Sequence, residues 1–519
     1  MTRLSRRSFL KFAGLGAATL ALPRGLRAAE SAASATAAPA AKRPNIVLIL
    51  ADDLGYGDVG CQNPKSKIPT PCLDRLASQG VRFTDAHAPS SVCSPTRYAI
   101  LTGRYAWRNP AVRRSVLWAY DPPAIEPGRL TVAALLKQAG YATACIGKWH
   151  LGWRWQTTDG KPAKYDRKTG ACNVDHVKPT TDGPTTRGFD SYFGTDVPNF
   201  PPYCFIENDR TLGLPTVPKP DAMFGQPGMM LAGWDLVKIL PTLTQRAVAH
   251  VEQAAKTPDR PFFLYMPLTS PHTPIAPAPE FKGKSGAGDY GDYVCQTDWT
   301  VGQVLDAIDR SGLAENTLVL FTSDNGPEYF AYPRIREFCH YSMGDRRGIK
   351  SDSWEGGHRV AFMARWPGRI KPATVSAEPI CHVDVMATVA ALVGLSLPDN
   401  AAEDSTNILP AILGEKIDRP LHEAIVHHAP NGSQAIRQGQ WVFIDNPTGD
   451  THRPNVGEPA WLKEERGYQP HKFPGELYDL SADPFQRKNL YGERPEIVSN
   501  LKALLEKYRA EGRSVPRRK

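Results

Sequence analysis

Two apolar patterns alternate along most of this chain. Continuous apolar runs, such as 45–50 and 317–322, are typical of strands buried on both faces. Between them, apolar residues recur at helical spacing. The predicted strands are 45–50, 81–83, 141–146, 261–266, 317–322 and 360–366, and the predicted helices are 73–79, 131–139, 293–311 and 384–393, with one more after residue 93. This alternation predicts an α/β fold, a large domain with a mostly parallel or mixed sheet flanked by helices.

The pattern changes after about residue 415. Residues 435–444 are typical of a hairpin, 476–484 end in an Asp-Pro turn, and 496–511 form an amphipathic helix. We therefore expect a large domain over 43–415 and a smaller C-terminal α+β domain over 416–519. Residues 153–235 lack periodicity and are rich in Pro, Gly and Asp, which favours a functional insertion.

The first residues resemble an export signal. A twin-arginine segment at 5–11 precedes an apolar stretch at 12–22 and a small-residue cleavage site at 26–28. The apolar stretch is shorter than the roughly 20 residues that span a membrane. We predict a signal peptide over 1–29, an Ala/Ser-rich linker over 30–42, and twin-arginine export to the periplasm or the exterior. A cytoplasmic protein with a basic start, or an uncleaved anchor, is the alternative.

Net charge and cysteine spacing argue against a nucleic-acid-binding protein and against a zinc-knuckle protein. The chain has a formal charge of +9, of which six positive charges lie in 1–29 without an acid, leaving +3 for the remainder. Four more positive charges lie within 513–519, so basicity is an end effect and no nucleic-acid partner is expected. The nine cysteines contain no C-x-x-C pair, which argues against a zinc knuckle. Cys61–Cys72 and Cys172–Cys204 are hypothetical disulfides only.

The most informative segment runs from Cys93 to Arg104. It has the form C-x-P-x-R followed by L-T-G-R. Pro95 suits the first turn of a helix, so Cys93 is placed just before a helix N-terminus, where free N–H groups favour an anion. The alternative is a buried structural cysteine before an ordinary helix.

Acidic and amide side chains follow two predicted strands. Asp52 and Asp53 come directly after the first strand, and Asp324 and Asn325 follow the strand at 317–322. Ligands in α/β sheets bind beyond the carboxyl ends of strands, so these four oxygen donors are a candidate site for Ca²⁺ rather than Zn²⁺. A helix cap and an Asn-Gly turn are the alternatives.

Four basic or imidazole side chains complete the candidate set. Lys148 and His150 are two residues apart after a strand and would point to one side of an extended segment. His272 lies between prolines that stiffen its backbone, as a general acid requires. Lys350 would add a cation for an anionic substrate. Taken singly, each has an ordinary alternative: a solvated loop for Lys148 and His150, a structural loop histidine for His272, and a surface lysine for Lys350.

Together and in this order, these segments resemble the type I sulfatases, within them the arylsulfatase-like branch. The resemblance spans roughly residues 43–490 and includes 477–484, which is similar to the family's C-terminal signature. It implies an alkaline-phosphatase-like fold and the hydrolysis of sulfate monoesters.

The resemblance also implies a role for each candidate residue. Cys93 would be oxidised to formylglycine by a separate maturation enzyme. The implied ligands of one Ca²⁺, with Mg²⁺ fitting less well, are Asp52, Asp53, Asp324, Asn325 and the modified Cys93. Arg97 and Lys148 would hold the aldehyde hydrate. The implied sulfate contacts are Lys148, His272 and Lys350.

In the implied reaction, one hydrate oxygen attacks sulfur, and His272 or Lys350 protonates the departing alcohol. His150 then takes the proton of the second hydroxyl, so that sulfate leaves and the aldehyde returns. An ordinary Ser or Cys nucleophile could not expel sulfate in this way.

Two other functions stay open at the level of sequence. One is a formylglycine-dependent phosphonate monoester or phosphodiester hydrolase, and the other is an inert glycan-binding homologue. For the substrate we favour a sulfated sugar, such as a galactose or N-acetylgalactosamine sulfate at an exposed chain end. Candidate sugar contacts are Trp107, Trp118, Trp153 and Trp155, although buried packing is the commoner role of Trp, and His427 and His428 at the pocket rim.

Overall fold

A ten-stranded mixed sheet organises the chain. The computed structural model describes residues 43–451 and 456–518, so the predicted signal peptide and linker lie outside the described residues. The strands of the described residues are β1 Asn45–Asp52, β2 Val81–Phe83, β3 Ala86–His87, β4 Ala142–Lys148, β5 Ser191–Thr195, β6 Ile206–Glu207, β7 Arg210–Thr211, β8 Val217–Pro218, β9 Met229–Met230, β10 Phe262–Pro271, β11 Thr317–Ser323, β12 Phe362–Arg365, β13 Thr374–Ser376, β14 Ile380–Cys381, β15 Ile425–His428, β16 Gln434–Gln438, β17 Trp441–Ile444 and β18 Glu476–Asp479. The order of the ten strands in the sheet is β13-β2-β12-β11-β1-β10-β4-β5-β6-β7.

Helices cover both faces of this sheet. They are α1 Pro71–Ser78, α2 Cys93–Thr102, α3 Val132–Gln138, α4 Ile239–Ala254, α5 Gly288–Arg310, α6 Ala331–Phe338, α7 Glu355–His358, α8 Val385–Val393, α9 Leu409–Leu413, α10 Ala460–Arg466 and α11 Pro495–Glu511. Among the described residues, no helix is both long and apolar enough to cross a membrane.

Strand β1 shows why the sheet needs two helical layers. All eight of its residues are buried. Because side chains alternate along a strand, one set (Ile46, Leu48, Leu50) packs in the core with α2, α3 and α8. The other set (Val47, Ile49, Ala51) packs with α1, α4 and α5. The apolar run therefore predicts a central strand correctly.

Four neighbouring parallel strands end at the same edge of the sheet. β1 pairs in parallel with β10 and β11, and β10 pairs in parallel with β4. The register sets Ala51 beside Ser323 and Asp52 beside Pro271. The residues that follow these strands are consequently brought together, as expected for an α/β sheet.

The expected α/β class is confirmed, and the structure corrects three details. Part of the segment predicted as an insertion belongs to the sheet, because β5 pairs in parallel with β4. The 16-residue helix α4 was not predicted at all. All nine cysteines lie in the described part of the chain and are free thiols, so neither hypothetical disulfide forms.

A separate antiparallel sheet lies near the C-terminus. Its order is β15-β16-β17-β18, and the apolar face of α11 packs against it through Leu501 and Leu505. Residues 43–519 nevertheless form one compact unit. The boundary at 415/416 stays a prediction.

Buried Arg347 connects the C-terminal segment to the rest of this unit. Its guanidinium donates to Glu458 Oε2 at 2.8 Å and to the Gln486 carbonyl at 3.0 Å. The same group lies 3.7 Å from the ring centroid of Trp354 and 4.1 Å from that of Tyr468. This arrangement satisfies a charge that would be costly to bury alone.

We predict that Arg347→Met strongly destabilises the protein. The substitution leaves the buried Glu458 carboxylate unpaired, which costs about 3–5 kcal/mol. Thermal unfolding should show a clearly lower midpoint. The control is Lys416→Met, because Lys416 makes an ion pair with Asp418 that is exposed on both sides and should contribute little. Equal midpoints for the two variants would contradict this role of Arg347.

Candidate active site

The edge formed by β11, β1, β10 and β4 carries most of the predicted site residues. Asp52 and Lys148 are the last residues of β1 and β4. Asp324 and Asn325 follow β11, and His272 follows β10. The structure thus brings together, from distant parts of the sequence, the side chains that the motifs singled out.

Cys93 is the first residue of α2 and is buried at this edge. Its Sγ lies 3.7 Å from Asp52 Oδ1 and 3.4 Å from Lys350 Nζ. Burial raises the pKa of the Cys93 thiol to about 12 even though Lys148 and Lys350 act to lower it. Cysteine hydrolases need a thiolate, which requires the opposite shift. As an unmodified cysteine, residue 93 is therefore a poor nucleophile.

Four oxygen-bearing side chains next to Cys93 form what we call the cation site: Asp52, Asp53, Asp324 and Asn325. Asp53 has a left-handed backbone (φ 63°), and its N–H donates to Asp324 Oδ1 at 3.2 Å. Asn325 Nδ2 donates to Asp53 Oδ1 at 2.7 Å. Asn325 Oδ1 is buried and has no hydrogen-bond partner among the described residues.

The donor set of the cation site fits Ca²⁺. Three carboxylates and an amide oxygen are hard ligands of the kind that Ca²⁺ prefers, and the unpaired Asn325 oxygen is available as one of them. Ligand atoms of Asp52, Asp53, Cys93 and His272 lie within 4.8 Å of one another. Burial and the charge of Asp52 raise the pKa of Asp324 to about 7. A bound cation would relieve this repulsion.

Three cationic side chains balance the carboxylates. Arg97 donates from Nη2 and Nε to Asp324 Oδ2, at 2.9 and 3.1 Å. Lys148 Nζ donates to Asp52 Oδ2 at 2.6 Å. Burial acts to raise the pKa of Asp52, but Lys148, His272, Arg97 and Lys350 together hold it well below its usual range.

Lys350 and His272 both lie beside Asp53. Lys350 Nζ is 2.7 and 2.8 Å from the two Asp53 oxygens, and His272 Nε2 is 3.6 Å from Oδ2. His272 Nδ1 donates to the Thr273 carbonyl at 2.5 Å, which leaves Nε2 facing the site. Burial, followed by the charge of Lys350, lowers the pKa of His272 to about 4.

His150 is neutral and has one free nitrogen. Its Nε2 donates to the Leu117 carbonyl at 3.0 Å, while Nδ1 is buried without a partner among the described residues. Burial and the charges of Lys148 and Arg97 lower the pKa of His150 well below its usual value. The backbone at His150 is left-handed (φ 52°), so the segment after Lys148 is not extended. The prediction that Lys148 and His150 point to one side of an extended segment is therefore wrong.

Asp196 is a site-adjacent residue that the sequence analysis missed. Its Oδ1 accepts from the His150 N–H and from Trp153 Nε1, both at 3.2 Å. Burial raises the pKa of Asp196 to about 6. Asp196 follows β5, at the same edge as the other site residues. Recognising β5 as a strand would have identified it.

The expected sugar contacts have mixed outcomes. Trp153 and Trp155 are buried core residues. Trp118 is only partly buried, stacks on Phe200 with ring centroids 5.1 Å apart, and has Arg167 3.4 Å from its ring centroid. Trp118 is thus less buried than Trp153 and Trp155, but Phe200 and Arg167 lie over its ring.

The prediction that His427 and His428 lie at the pocket rim is wrong. Both side chains are buried. Their Nδ1 atoms lie 3.1 and 3.3 Å from the carbonyls of Ala88 and Pro89. They therefore support the segment that leads to Cys93 rather than line an exposed rim.

Comparisons with known proteins agree with this geometry. A family described as Sulfatase matches residues 44–395. The N-acetylgalactosamine-6-O-sulfatase of Bacteroides thetaiotaomicron is 35% identical, over 90% of this chain and 93% of that protein. Human arylsulfatase A is also 35% identical, over 93% of this chain and 90% of its own. A solved structure concerning the metabolism of multiple glycosaminoglycans by Bacteroides thetaiotaomicron has 32% identity and a TM-score of 0.76, covering 90% of this chain and 100% of that one.

We predict that the cation site binds one Ca²⁺ per chain. The Asp53→Asn variant should bind Ca²⁺ at least tenfold more weakly, which is a loss of about 1.4 kcal/mol in binding free energy. The variant removes one charged ligand while keeping the side-chain volume. Calorimetric titration of chelator-treated protein measures the affinity. Asp404→Asn is the control, because Asp404 is a buried carboxylate paired with Arg108 outside the site. Unchanged affinity in Asp53→Asn, or no binding by the parent protein, would contradict the assignment.

Proposed function

The chain belongs to the sulfatase family and is a sulfuric ester hydrolase, and on this premise we propose that it is an exported enzyme that removes sulfate from a sulfated sugar or glycan. In this proposal, residue 93 acts as formylglycine and one Ca²⁺ is the cofactor. The observation that carries the proposal is the position of Cys93 Sγ, 3.4 Å from Lys350 Nζ and 3.7 Å from Asp52 Oδ1. The reacting atom would lie between the cation site and the candidate sulfate contacts.

The state of Cys93 supports conversion to formylglycine. A buried thiol with a pKa of about 12 is protonated at neutral pH. The hydrate of formylglycine would supply two hydroxyls on one carbon, one to attack sulfur and the other to expel sulfate. Arg97 donates to Asp324 and Lys148 donates to Asp52, so both cations lie beside carboxylates of the cation site and could orient these hydroxyls.

The cation would be Ca²⁺, held by Asp52, Asp53, Asp324 and Asn325, with Mg²⁺ fitting less well. When bound, Ca²⁺ supplies positive charge that stabilises negative charge on the reacting oxygens. The protein's own contribution is to fix Asp324 through Arg97 and Asp52 through Lys148. Asp53 would exchange its contacts with Lys350 and Asn325 for the cation.

The basic residues divide the remaining work. Lys148, His272 and Lys350 would bind sulfate oxygens. Lys350 Nζ carries a proton and would give it to the departing alcohol, whereas His272 would do so only after Nε2 has taken up a proton beside the bound sulfate, because its neutral ring is protonated at Nδ1. His150 would accept the proton of the second hydroxyl at Nδ1, the ring nitrogen that has no partner among the described residues.

Two observations support a sulfated sugar as substrate. The relatives include an enzyme named for N-acetylgalactosamine 6-O-sulfate and a protein of glycosaminoglycan metabolism. Near the site, Phe200 contacts the His150 ring edge-on and stacks on Trp118. Arg167 lies over the Trp118 ring, 3.4 Å from its centroid, and its guanidinium suits a sugar that carries negative charge. We favour a galactose or N-acetylgalactosamine sulfate at an exposed chain end.

Export and maturation would require two partners. The twin-arginine segment within 1–29 favours the twin-arginine translocase and a periplasmic or extracellular location. A formylglycine-generating enzyme would act on Cys93 first. Early modification is consistent with the depth of residue 93 in the folded protein, where it is about 1% exposed.

We predict that the matured enzyme prefers sulfate esters to phosphorus esters. N-Acetylgalactosamine 6-sulfate should be hydrolysed at least about 100-fold faster, by kcat/KM, than the 6-phosphate or a phosphonate monoester, a difference of about 2.7 kcal/mol in the barrier. Released anion is measured on one enzyme sample. Cys93→Ala is the control for background activity. A preference for the phosphonate would favour the alternative hydrolase, and activity no higher than that of Cys93→Ala would favour the inert homologue.

We also predict that the proton donor can be recognised by its leaving-group dependence. Replacing His272 or Lys350 by Ala should reduce kcat/KM on a sugar sulfate by about 10²–10⁴-fold. The loss at the proton donor should be smaller on 4-nitrophenyl sulfate, whose alcohol leaves without a proton. Lys137→Ala is the control, because Lys137 pairs with Asp190 outside the site. Equal losses on both substrates for both variants would show that neither residue donates the proton.

A further inference from the structure

We propose that His87, His358 and His427 form a second metal site, which takes a divalent transition metal such as Zn²⁺. These three residues, called the histidine cluster below, come from β3, α7 and β15. One ring nitrogen of each lies within 4.8 Å of the others, and all three side chains are buried. None of them belongs to the cation site or to the proposed reaction.

The protonation of His87 directs a lone pair into the cluster. Its Nε2 is 2.6 Å from Asp85 Oδ1. Arg437 also approaches Nε2, at 2.9 Å, but it makes shorter contacts of 2.6 Å with both Asp85 oxygens. The proton therefore sits on Nε2 and is donated to Asp85. Nδ1 is left as an acceptor, and it faces His358 Nδ1 at 3.1 Å.

His358 presents the same arrangement from the other side. Its Nε2 lies 3.3 Å from the Ser353 carbonyl, to which it can donate. Nδ1 then carries a lone pair directed at His87 Nδ1. Two facing lone pairs repel unless a proton or a metal ion lies between them. Two nitrogens bound to one tetrahedral Zn²⁺ at about 2.0–2.1 Å are about 3.3 Å apart, close to the separation observed.

His427 supplies the third nitrogen. Its Nδ1 donates to the Ala88 carbonyl at 3.1 Å, so Nε2 is an acceptor. Nε2 is buried and has no hydrogen-bond partner among the described residues. The ring stacks on His358 with centroids 3.8 Å apart and an interplanar angle of 9°. Metal binding would require a rotation of one of the stacked rings about its Cβ–Cγ bond.

The surroundings are those of metal-binding histidines. Such residues usually donate their second ring nitrogen to a carboxylate or a carbonyl, which fixes the tautomer; all three imidazoles have such an acceptor. Burial lowers the pKa values of His87 and His358 to about 3, so the rings are neutral, as metal ligands must be. Glu355 lies nearby and pairs with Arg359 through Oε2, while its Oε1 is buried without a partner among the described residues.

The ligand type selects the metal. Three imidazoles suit Zn²⁺ and its neighbours in the first transition row, whereas Ca²⁺ requires oxygen ligands. The two sites would therefore not compete for the same ion. The histidine cluster joins the segment leading to Cys93, the segment following Lys350 and the C-terminal sheet, so a bound metal would hold these three segments together.

The test uses the full-length protein with the cation site saturated by Ca²⁺. After chelator treatment and Ca²⁺ addition, the protein is titrated with Zn²⁺, desalted and analysed for metal, and a parallel sample receives Co²⁺. We expect one Zn²⁺ per chain, a higher thermal midpoint with Zn²⁺, and the visible absorption bands of four-coordinate Co²⁺. His427→Gln should lose the ion and the bands. His428→Gln should keep both, because His428 is a buried neighbour in β15 that is outside the cluster.

Two results would overturn the proposal. One is wild-type protein that retains no Zn²⁺ after desalting, in which case the His358 ring simply donates a proton to His87. The other is a His427→Gln variant that retains the ion, which would place it elsewhere. If His427→Gln fails to fold, anomalous scattering at the zinc edge from wild-type crystals decides the question, since a peak must lie between the three rings.

Discussion

Charge pairing at one edge of the central sheet is the constraint on which the rest of the site depends. Asp52, Asp53 and Asp324 are fully buried, and isolated carboxylates could not remain ionised there. Arg97, Lys148 and Lys350 approach them within 3.1 Å and keep the local charge close to zero. Because these six residues come from five separate parts of the chain, the fold must be complete before the charges are satisfied.

The same constraint explains what the chemistry needs from residue 93. Burial raises the pKa of the Cys93 thiol, and the lysines that act to lower it are opposed by Asp324 and Asp52, so Cys93 is not activated as a thiolate. A neutral nucleophile that is oriented by cations and later loses a proton to a neutral base suits the surroundings better. Formylglycine and His150 would meet these two requirements. The proposed sulfate contacts, Lys148, His272 and Lys350, would then lie around the position where sulfur would be bound.

Much of this arrangement could be predicted from sequence because its signals are local. The apolar run ending at Asp52, and the one ending before Asp324, identify strands and their carboxyl ends. The remainder depends on tertiary contacts without a local signal. Asp196 accepts the backbone N–H of His150 only because β5 joins the sheet beside β4. His87, His358 and His427 are each an ordinary histidine in sequence, and only the folded chain brings their nitrogens together. Helix α4 was missed because its apolar stripe begins directly after an aperiodic segment.

The most direct test of the account is the mass of the tryptic peptide 83–97, measured together with sulfate release on the same protein samples. Samples would be prepared with increasing amounts of maturation enzyme, so that the converted fraction of Cys93 varies. The account predicts a peptide mass matching formylglycine and an activity that rises in proportion to the converted fraction. Full activity with unmodified Cys93, or conversion without activity on any sulfate ester, would contradict it.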